Sequence, residues 1–196
     1  MKEIKILALG SSITRGYGNH DISFVEMLND VNDKDVKFNV YKEAINGTTL
    51  ANRKDNSYLA RLRKLDLTLL KTFDYVLVQL STNDLHLLKN RLDLNDEKTT
   101  FGAIIEIIKY IKENTDAKII FYTCFTKRNK KYKNMIETLK TIKENCGFSI
   151  IDFYENEEMR KAKFKLIMSD NIHPNKEGYI IMSKYLAKYF KADINN

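Results

Sequence analysis

Cysteine is scarce in this chain: 196 residues hold two, Cys124 and Cys146. They lie in different expected elements, form no C-x-x-C pair and have no histidine-rich neighbourhood, which excludes a disulfide framework and a zinc site of ordinary spacing. Both read as thiols of a reducing compartment, with Cys124 the buried, structural one. Long apolar runs are also missing, and no stretch approaches the roughly 20 apolar residues that a membrane-crossing helix needs. The charged start Met1-Lys2-Glu3-Ile4-Lys5 is followed by a short apolar run, residues 4–9, that contains Lys5 and no cleavage-like site. It reads as a strand rather than a secretory signal, so a cytoplasmic protein without a membrane partner is expected. Proline occurs once, as Pro174, and no linker, repeat or low-complexity segment divides the chain. Residues 1–196 are therefore expected to form one domain, long enough to bury roughly 70% of its unfolded surface.

Positive charge is in excess, with 33 Lys and Arg against 26 Asp and Glu for a net charge of +7. The lysines are spread over helical segments with acids nearby, as in Lys109, Lys112 and Glu113, or Lys140, Lys143 and Glu144. That is the pattern of solvated helix faces, and no nucleic-acid partner is expected. Only Lys127-Arg128-Asn129-Lys130-Lys131-Tyr132-Lys133 is a concentrated basic run. It either recruits an anionic substrate or solvates the start of the next helix.

Apolar runs at 4–9, 36–41, 74–80, 118–125 and 148–153 read as buried strands. Helical spacing separates them. Ile22, Phe24, Val25, Leu28 and Val31 form one stripe, with Asp21 as cap and Asp33-Lys34-Asp35 as terminator. A weaker helix covers 51–64 with Leu59 and Leu62 as anchors, and another carries Phe101, Ile104, Ile105, Ile108 and Ile111. The segment 131–146 buries Met135, Ile136, Leu139 and Ile142 before Gly147 as a left-handed cap. A short helix at 157–164 and a final one at 176–191, presenting Ile180, Ile181, Tyr185, Leu186 and Phe190, complete the chain. Strict alternation implies a three-layer α/β/α sandwich with a five-stranded parallel, flavodoxin-like sheet.

Ligands bind at the carboxyl ends of strands in such sheets, and hydroxyl-rich loops follow the first and third strands. Ser12, just after the first strand, is the candidate nucleophile. A serine hydroxyl is un-ionised at neutral pH and needs a base. His173 is that base, and Asp170, three residues earlier, can accept its Nδ1 proton while Nε2 faces the serine. The loops after strands one, two and three also bring the Ser12 N–H, the Gly47 N–H and the Asn83 amide to one edge as donors for an oxyanion. Each residue also has a plainer role: Ser12 as a turn residue, Gly47 as a conformational glycine, Asn83 as a loop hydrogen bonder, Asp170 as a helix cap. His20 and His86 have no acid at comparable spacing.

Together, Gly10-Ser11-Ser12-Ile13-Thr14, Asn46-Gly47, Ser81-Thr82-Asn83-Asp84 and Asp170-Asn171-Ile172-His173-Pro174 resemble, in order and spread, the four blocks of the SGNH hydrolases, also called the GDSL esterase/lipase family. The resemblance implies Ser12 as nucleophile and oxyanion donor, Gly47 and Asn83 as the other donors, His173 as base and Asp170 as its orienting acid, without metal or organic cofactor. Ser11 stands where the family often has Asp, and Ser81 where it often has Gly.

The expected function is a serine esterase acting on a small-molecule or carbohydrate oxygen ester, with a short acyl group such as acetyl on a sugar or small alcohol. Two alternatives stand beside it. One is a flavodoxin-like phosphate- or nucleotide-binding module using the loop 11–16, although that loop fails the Walker A pattern and lacks the third glycine of the dinucleotide fingerprint. The other is a catalytically silent carbohydrate binder on the same fold.

Overall fold

Short apolar runs separated by helical segments suit parallel strands, because a helical crossover is long enough to return the chain to the same end of the sheet. The computed structural model describes residues 2–31, 36–88 and 93–195. Its elements are β1 (Lys2–Gly10), α1 (Ser12–Arg15), α2 (Leu28–Val31), β2 (Val36–Ala44), α3 (Tyr58–Lys64), α4 (Leu67–Leu70), β3 (Tyr75–Gln79), a 3₁₀ turn (Thr82–His86), α5 (Thr100–Asn114), β4 (Lys118–Tyr122), α6 (Lys130–Cys146), β5 (Ser149–Ile151), α7 (Glu157–Lys161), α8 (Phe164–Ile167) and α9 (Lys176–Asn195). The five strands pair in the order β2-β1-β3-β4-β5, every pair parallel. Helices cover both faces, which is the expected three-layer arrangement. The chain leaves β1 on one side toward β2 and later returns on the other as β3, so the β1 exit lies at the topological switch point.

Register sorts side chains between the two faces with a period of two. Gln79 pairs with Tyr122, and Tyr75 with Lys118, so Tyr75, Gln79 and Tyr122 share a face. Phe190 of α9 closes part of it, its ring 5.4 Å from Phe38 and 4.8 Å from Tyr75. Phe24 and Phe153 meet Tyr122 edge-on at 5.1 and 5.9 Å. The core is one continuous cluster, and no helix among the described residues is long and apolar enough to cross a membrane.

Several expected elements differ. The helix expected from Ile22 to Val31 survives only as α2. Upstream, His20 and Asp21 take positive φ of 51° and 59°, and Ser23 binds Glu26 through both its N–H and its hydroxyl at 2.8 Å. That pair is a capping-box arrangement, so helical turning can begin only at Ser23, downstream of the positive-φ residues. Asp21 caps nothing there and pairs with Arg15 at 2.9 Å, while Ile22 is exposed. Asp33, Lys34 and Asp35 lie outside the described residues. The weak helix 51–64 contracts to α3, capped by Ser57, whose hydroxyl accepts from Ala60 N–H. The segment 157–164 divides into α7 and α8 because Ala162 turns extended. Strands β4 and β5 stop early: Thr123 N–H still donates to Ile151 O at 3.0 Å, and its hydroxyl bonds the Asp152 carboxylate at 2.8 Å.

The inner face of α9 is rotated from the expected one. Tyr179, Met182, Ser183, Leu186 and Phe190 are fully buried, Ile180 and Ile181 only partly, and Tyr185 is exposed. Met182→Ala should therefore cost about 2–5 kcal/mol, as cavity-forming substitutions do, and Ile180→Ala clearly less. Urea unfolding of the two variants checks this, and equal losses would contradict the rotated face.

Candidate active site

The turn carrying Ser12 is built on a missing side chain and a buried amide. At Gly10 a Cβ would lie 1.6 Å from Thr14 Oγ1, so only glycine lets β1 end this close to the returning turn. Below it, Gln79 Oε1 accepts the Ser11 N–H at 2.9 Å, the Thr14 N–H at 3.3 Å and the Thr14 hydroxyl at 2.7 Å. Ser11 itself makes no side-chain cap; the amide of a neighbouring strand satisfies the first turn of α1 instead. The turn closes at Gly16, φ 98°, whose N–H donates to Ser12 O at 3.0 Å.

His173 is delivered by the loop between α8 and α9. Asp170 Oδ1 accepts the N–H groups of Ile172 and His173, both at 2.7 Å. Its Oδ2 lies 2.7 Å from His173 Nδ1. The loop is pinned at both ends by Ser169 N–H to His173 O at 2.8 Å and Asn175 N–H to Ile167 O at 3.1 Å. His173 Nε2 then lies 2.9 Å from Ser12 Oγ, across 161 residues of sequence. Tyr17 adds a ring 4.5 Å from the imidazole. Its own N–H is held by Ser12 O at 2.9 Å, and its carbonyl accepts from Tyr179 OH at 3.0 Å.

The remaining predicted donors lie on the neighbouring loops. Gly47 has φ 74°, and no heavy atom comes within 4 Å of where its Cβ would be. Conformation, not crowding, is what requires glycine there. Asn83 Nδ2 donates to Thr48 O at 2.9 Å, using one of its two hydrogens. Asp84 is fully buried and holds the same segment, its carboxylate accepting from Leu50 N–H at 2.9 Å, Ala51 N–H at 3.0 Å and the Thr100 hydroxyl at 3.0 Å. Burial pushes its pKa up, against these hydrogen bonds. For Asp170 the balance is reversed: burial works against the charge, but the bonds from the His173 ring and from the two backbone N–H groups outweigh it. They hold the carboxyl below its ordinary value.

The basic run sits beside this loop, with Lys127 N–H donating to Asn171 O at 3.0 Å. Arg128 is spent on Glu155 at 2.5 Å and on the Tyr154 ring, Asn129 caps α6, and Tyr132 is buried. Lys130, Lys131 and Lys133 are exposed around the first turn of that helix. A phosphate cradle in the loop 11–16 is disfavoured because the Ser11 and Thr14 N–H groups already face Gln79. Sequence reasoning assigned no role to Gln79, Tyr17 or Arg61. Gln79 left a signal, as the one polar residue within the run Val76-Leu77-Val78-Gln79-Leu80; the other two left none.

Comparisons with known proteins agree with one another. The model of the GDSL-like lipase/acylhydrolase family matches residues 8–181. Among solved structures, a lipase/acylhydrolase from Enterococcus faecalis is similar with a TM-score of 0.70 at 19% identity, covering 97% of this chain and 96% of that one. A psychrotrophic esterase, EstA, from a Pseudoalteromonas species is similar with a TM-score of 0.65 at 22% identity, covering 98% and 99%. At these identities the structural likeness concerns the fold. No curated protein matches the chain by sequence.

Two outcomes are expected from this geometry. Gln79→Leu leaves buried N–H groups without an acceptor and should destabilise by about 1–3 kcal/mol per group; an unchanged melting temperature would count against it. Because the folded-state value of Asp170 is depressed, its ionised form adds stability above the unfolded carboxylate pKa of about 4, and that contribution disappears as pH falls through the folded value. The stability gap between wild type and Asp170→Asn should thus be flat above about pH 5 and shrink toward pH 2. A gap that widens in acid would show the sign to be wrong.

Proposed function

The chain belongs to the GDSL-like lipase/acylhydrolase family and is an ester-hydrolysing enzyme, and on that premise we propose that it is a serine esterase that cleaves an oxygen ester through an acyl-serine intermediate. The observation that carries this reading is the unbroken chain of hydrogen bonds from Ser12 Oγ through the His173 ring to Asp170. Asp170 accepts the Nδ1 proton, which leaves Nε2 as the lone-pair nitrogen facing the hydroxyl. His173 takes the Ser12 proton as Oγ bonds to the acyl carbon, and the carbonyl electrons move onto oxygen. The Ser12 and Gly47 N–H groups and the second Asn83 hydrogen receive that oxyanion. When the intermediate collapses, the carbon–oxygen bond to the alcohol breaks and His173 returns the proton to the leaving oxygen. Water, deprotonated by the same histidine, then releases the acid and regenerates Ser12.

The acyl group we take to be short, with acetyl on a sugar or small alcohol as the first candidate. Thr48, Ser81, Thr82 and Asn83, around the assigned donors, are small and polar, which suits a small acyl group better than a long chain. The mechanism calls on no metal or organic cofactor. We place the enzyme in the cytoplasm, a reading supported by Cys124 and Cys146 both being free thiols.

Hydrolysis of p-nitrophenyl acetate tests the assignment. Ser12→Ala should abolish turnover, and Asn83→Ala should slow it by about 10²- to 10³-fold, with circular dichroism unchanged. Equal rates for Ser12→Ala and wild type would sink the serine mechanism. A panel of acyl-chain lengths on the same leaving group should fall steeply beyond short chains, and a flat profile would reject the small acyl site.

A further inference from the structure

Arginine is seldom buried unless its donors are matched, because desolvating a guanidinium is costly. Arg61, on α3, is only 6% exposed. Its Nη2 donates to Gly10 O at 2.7 Å and reaches Thr48 Oγ1 at 3.4 Å, its Nη1 donates to Glu43 O at 2.5 Å, and its Nε donates to Asn56 O at 3.0 Å. The Glu43 carboxylate stands 3.7 Å from Nη1. Burial pushes the guanidinium pKa down, offset in part by its negative neighbours.

The acceptors are not a random set. Gly10 pairs with Ala44 at the last rung of the β1–β2 ladder. Beyond it, the one backbone bond between the two exits among the described residues is a long one, Ile45 N–H to Gly10 O at 3.4 Å. The guanidinium braces the last two rungs of the ladder, with Nη2 on Gly10 O of β1 and Nη1 on Glu43 O of β2. Gly47 has no packing around its Cβ position, so the direction of its N–H depends on the hydrogen bonds of its neighbours. Thr48 is held on its carbonyl by Asn83 and on its hydroxyl by Arg61 and Ile45 O.

We propose that Arg61 is a positioning residue: it fastens the loop carrying Ser12 to the loop carrying Gly47 and so sets the separation of the two backbone donors assigned to the oxyanion. This rests on the serine mechanism proposed above. A fastener of this kind acts on the transition state, where the oxyanion exists, and little on substrate binding. An arginine that only filled the core would change the folded fraction and leave each folded molecule at full rate.

The experiment compares wild type, Ser12→Ala, Arg61→Met and Arg61→Lys on p-nitrophenyl acetate; in the three enzymes that keep Ser12, active sites are titrated by a phosphonate so that kcat refers to folded sites alone. An active wild type with an inactive Ser12→Ala secures the underlying mechanism first; failure there removes the mechanism, not the fastening alone. Arg61→Met should then lower kcat per titrated site by about 10- to 100-fold with KM within about threefold. The inhibition constant of a trifluoromethyl ketone, whose adduct carries the oxyanion, should weaken by a similar factor. Arg61→Lys keeps the charge but not the fork, and should fall between wild type and Arg61→Met. If Arg61→Met does not fold, Arg61→Lys decides, with a drop in kcat of about 3- to 30-fold expected. A kcat per titrated site within about twofold of wild type, or a change confined to KM, would overturn the proposal.

Discussion

One amide oxygen organises the business end of this protein. Gln79 Oε1, buried at the carboxyl end of β3, takes three hydrogen bonds from the turn after β1. In a buried layer each of those donors would be expensive to leave unpaired, so the turn is held to the arrangement that pairs them. Ser12 is carried on it. The Thr14 hydroxyl also meets the Tyr122 hydroxyl at 2.5 Å, which ties β4 into the same knot. The turn carrying Ser12 is thus fixed from beneath by β3 and β4.

The same logic recurs at the other loops. Asp84 gathers Leu50, Ala51 and Thr100, and Asp170 gathers Ile172 and His173. In each case one carboxylate satisfies successive backbone donors that a loop would otherwise leave without partners. Loops at the edge of a parallel sheet gain rigidity this way without regular structure. That suits catalysis, because a small misplacement of a reacting group costs rate steeply. The cost is visible at Asp84, where burial raises the pKa against its hydrogen bonds.

The architecture was legible in the sequence because each strand is a nearly uninterrupted apolar run, and five such runs alternating with helical spacing admit few topologies. Ser12, Gly47, Asn83, Asp170 and His173 could be picked out as candidates because their residue types and order resemble a family pattern. What was not legible is what supports them. Arg61 lies between Leu59 and Leu62 on a helix whose periodicity was weak, and only the folded chain shows four oxygens converging on it. The helix expected from Ile22 could not start there because His20 and Asp21, directly upstream, turn to positive φ. The face of α9 was misjudged because Tyr185 and Tyr179 are alike in sequence, while only Tyr179 finds a buried acceptor for its hydroxyl, the carbonyl of Tyr17.

The two departures from the family pattern now separate physically. Ser81 stands where glycine is common, and its hydroxyl accepts the Asn83 N–H at 3.1 Å and reaches Thr48 O at 3.4 Å. A glycine would make neither contact, so here the loop bearing Asn83 is held by its own N-cap. Ser11 stands where aspartate is common, fully buried, with its hydroxyl meeting no hydrogen-bond partner among the described residues. Its backbone N–H, by contrast, is one of the three donors on Gln79. The position therefore acts through its main chain, while the close approach of Thr14 and Gln79 is made possible by the missing Cβ of Gly10. Gln79 and Gly10 depend on each other: a Cβ at position 10 would lie 2.9 Å from the amide oxygen that holds the whole turn.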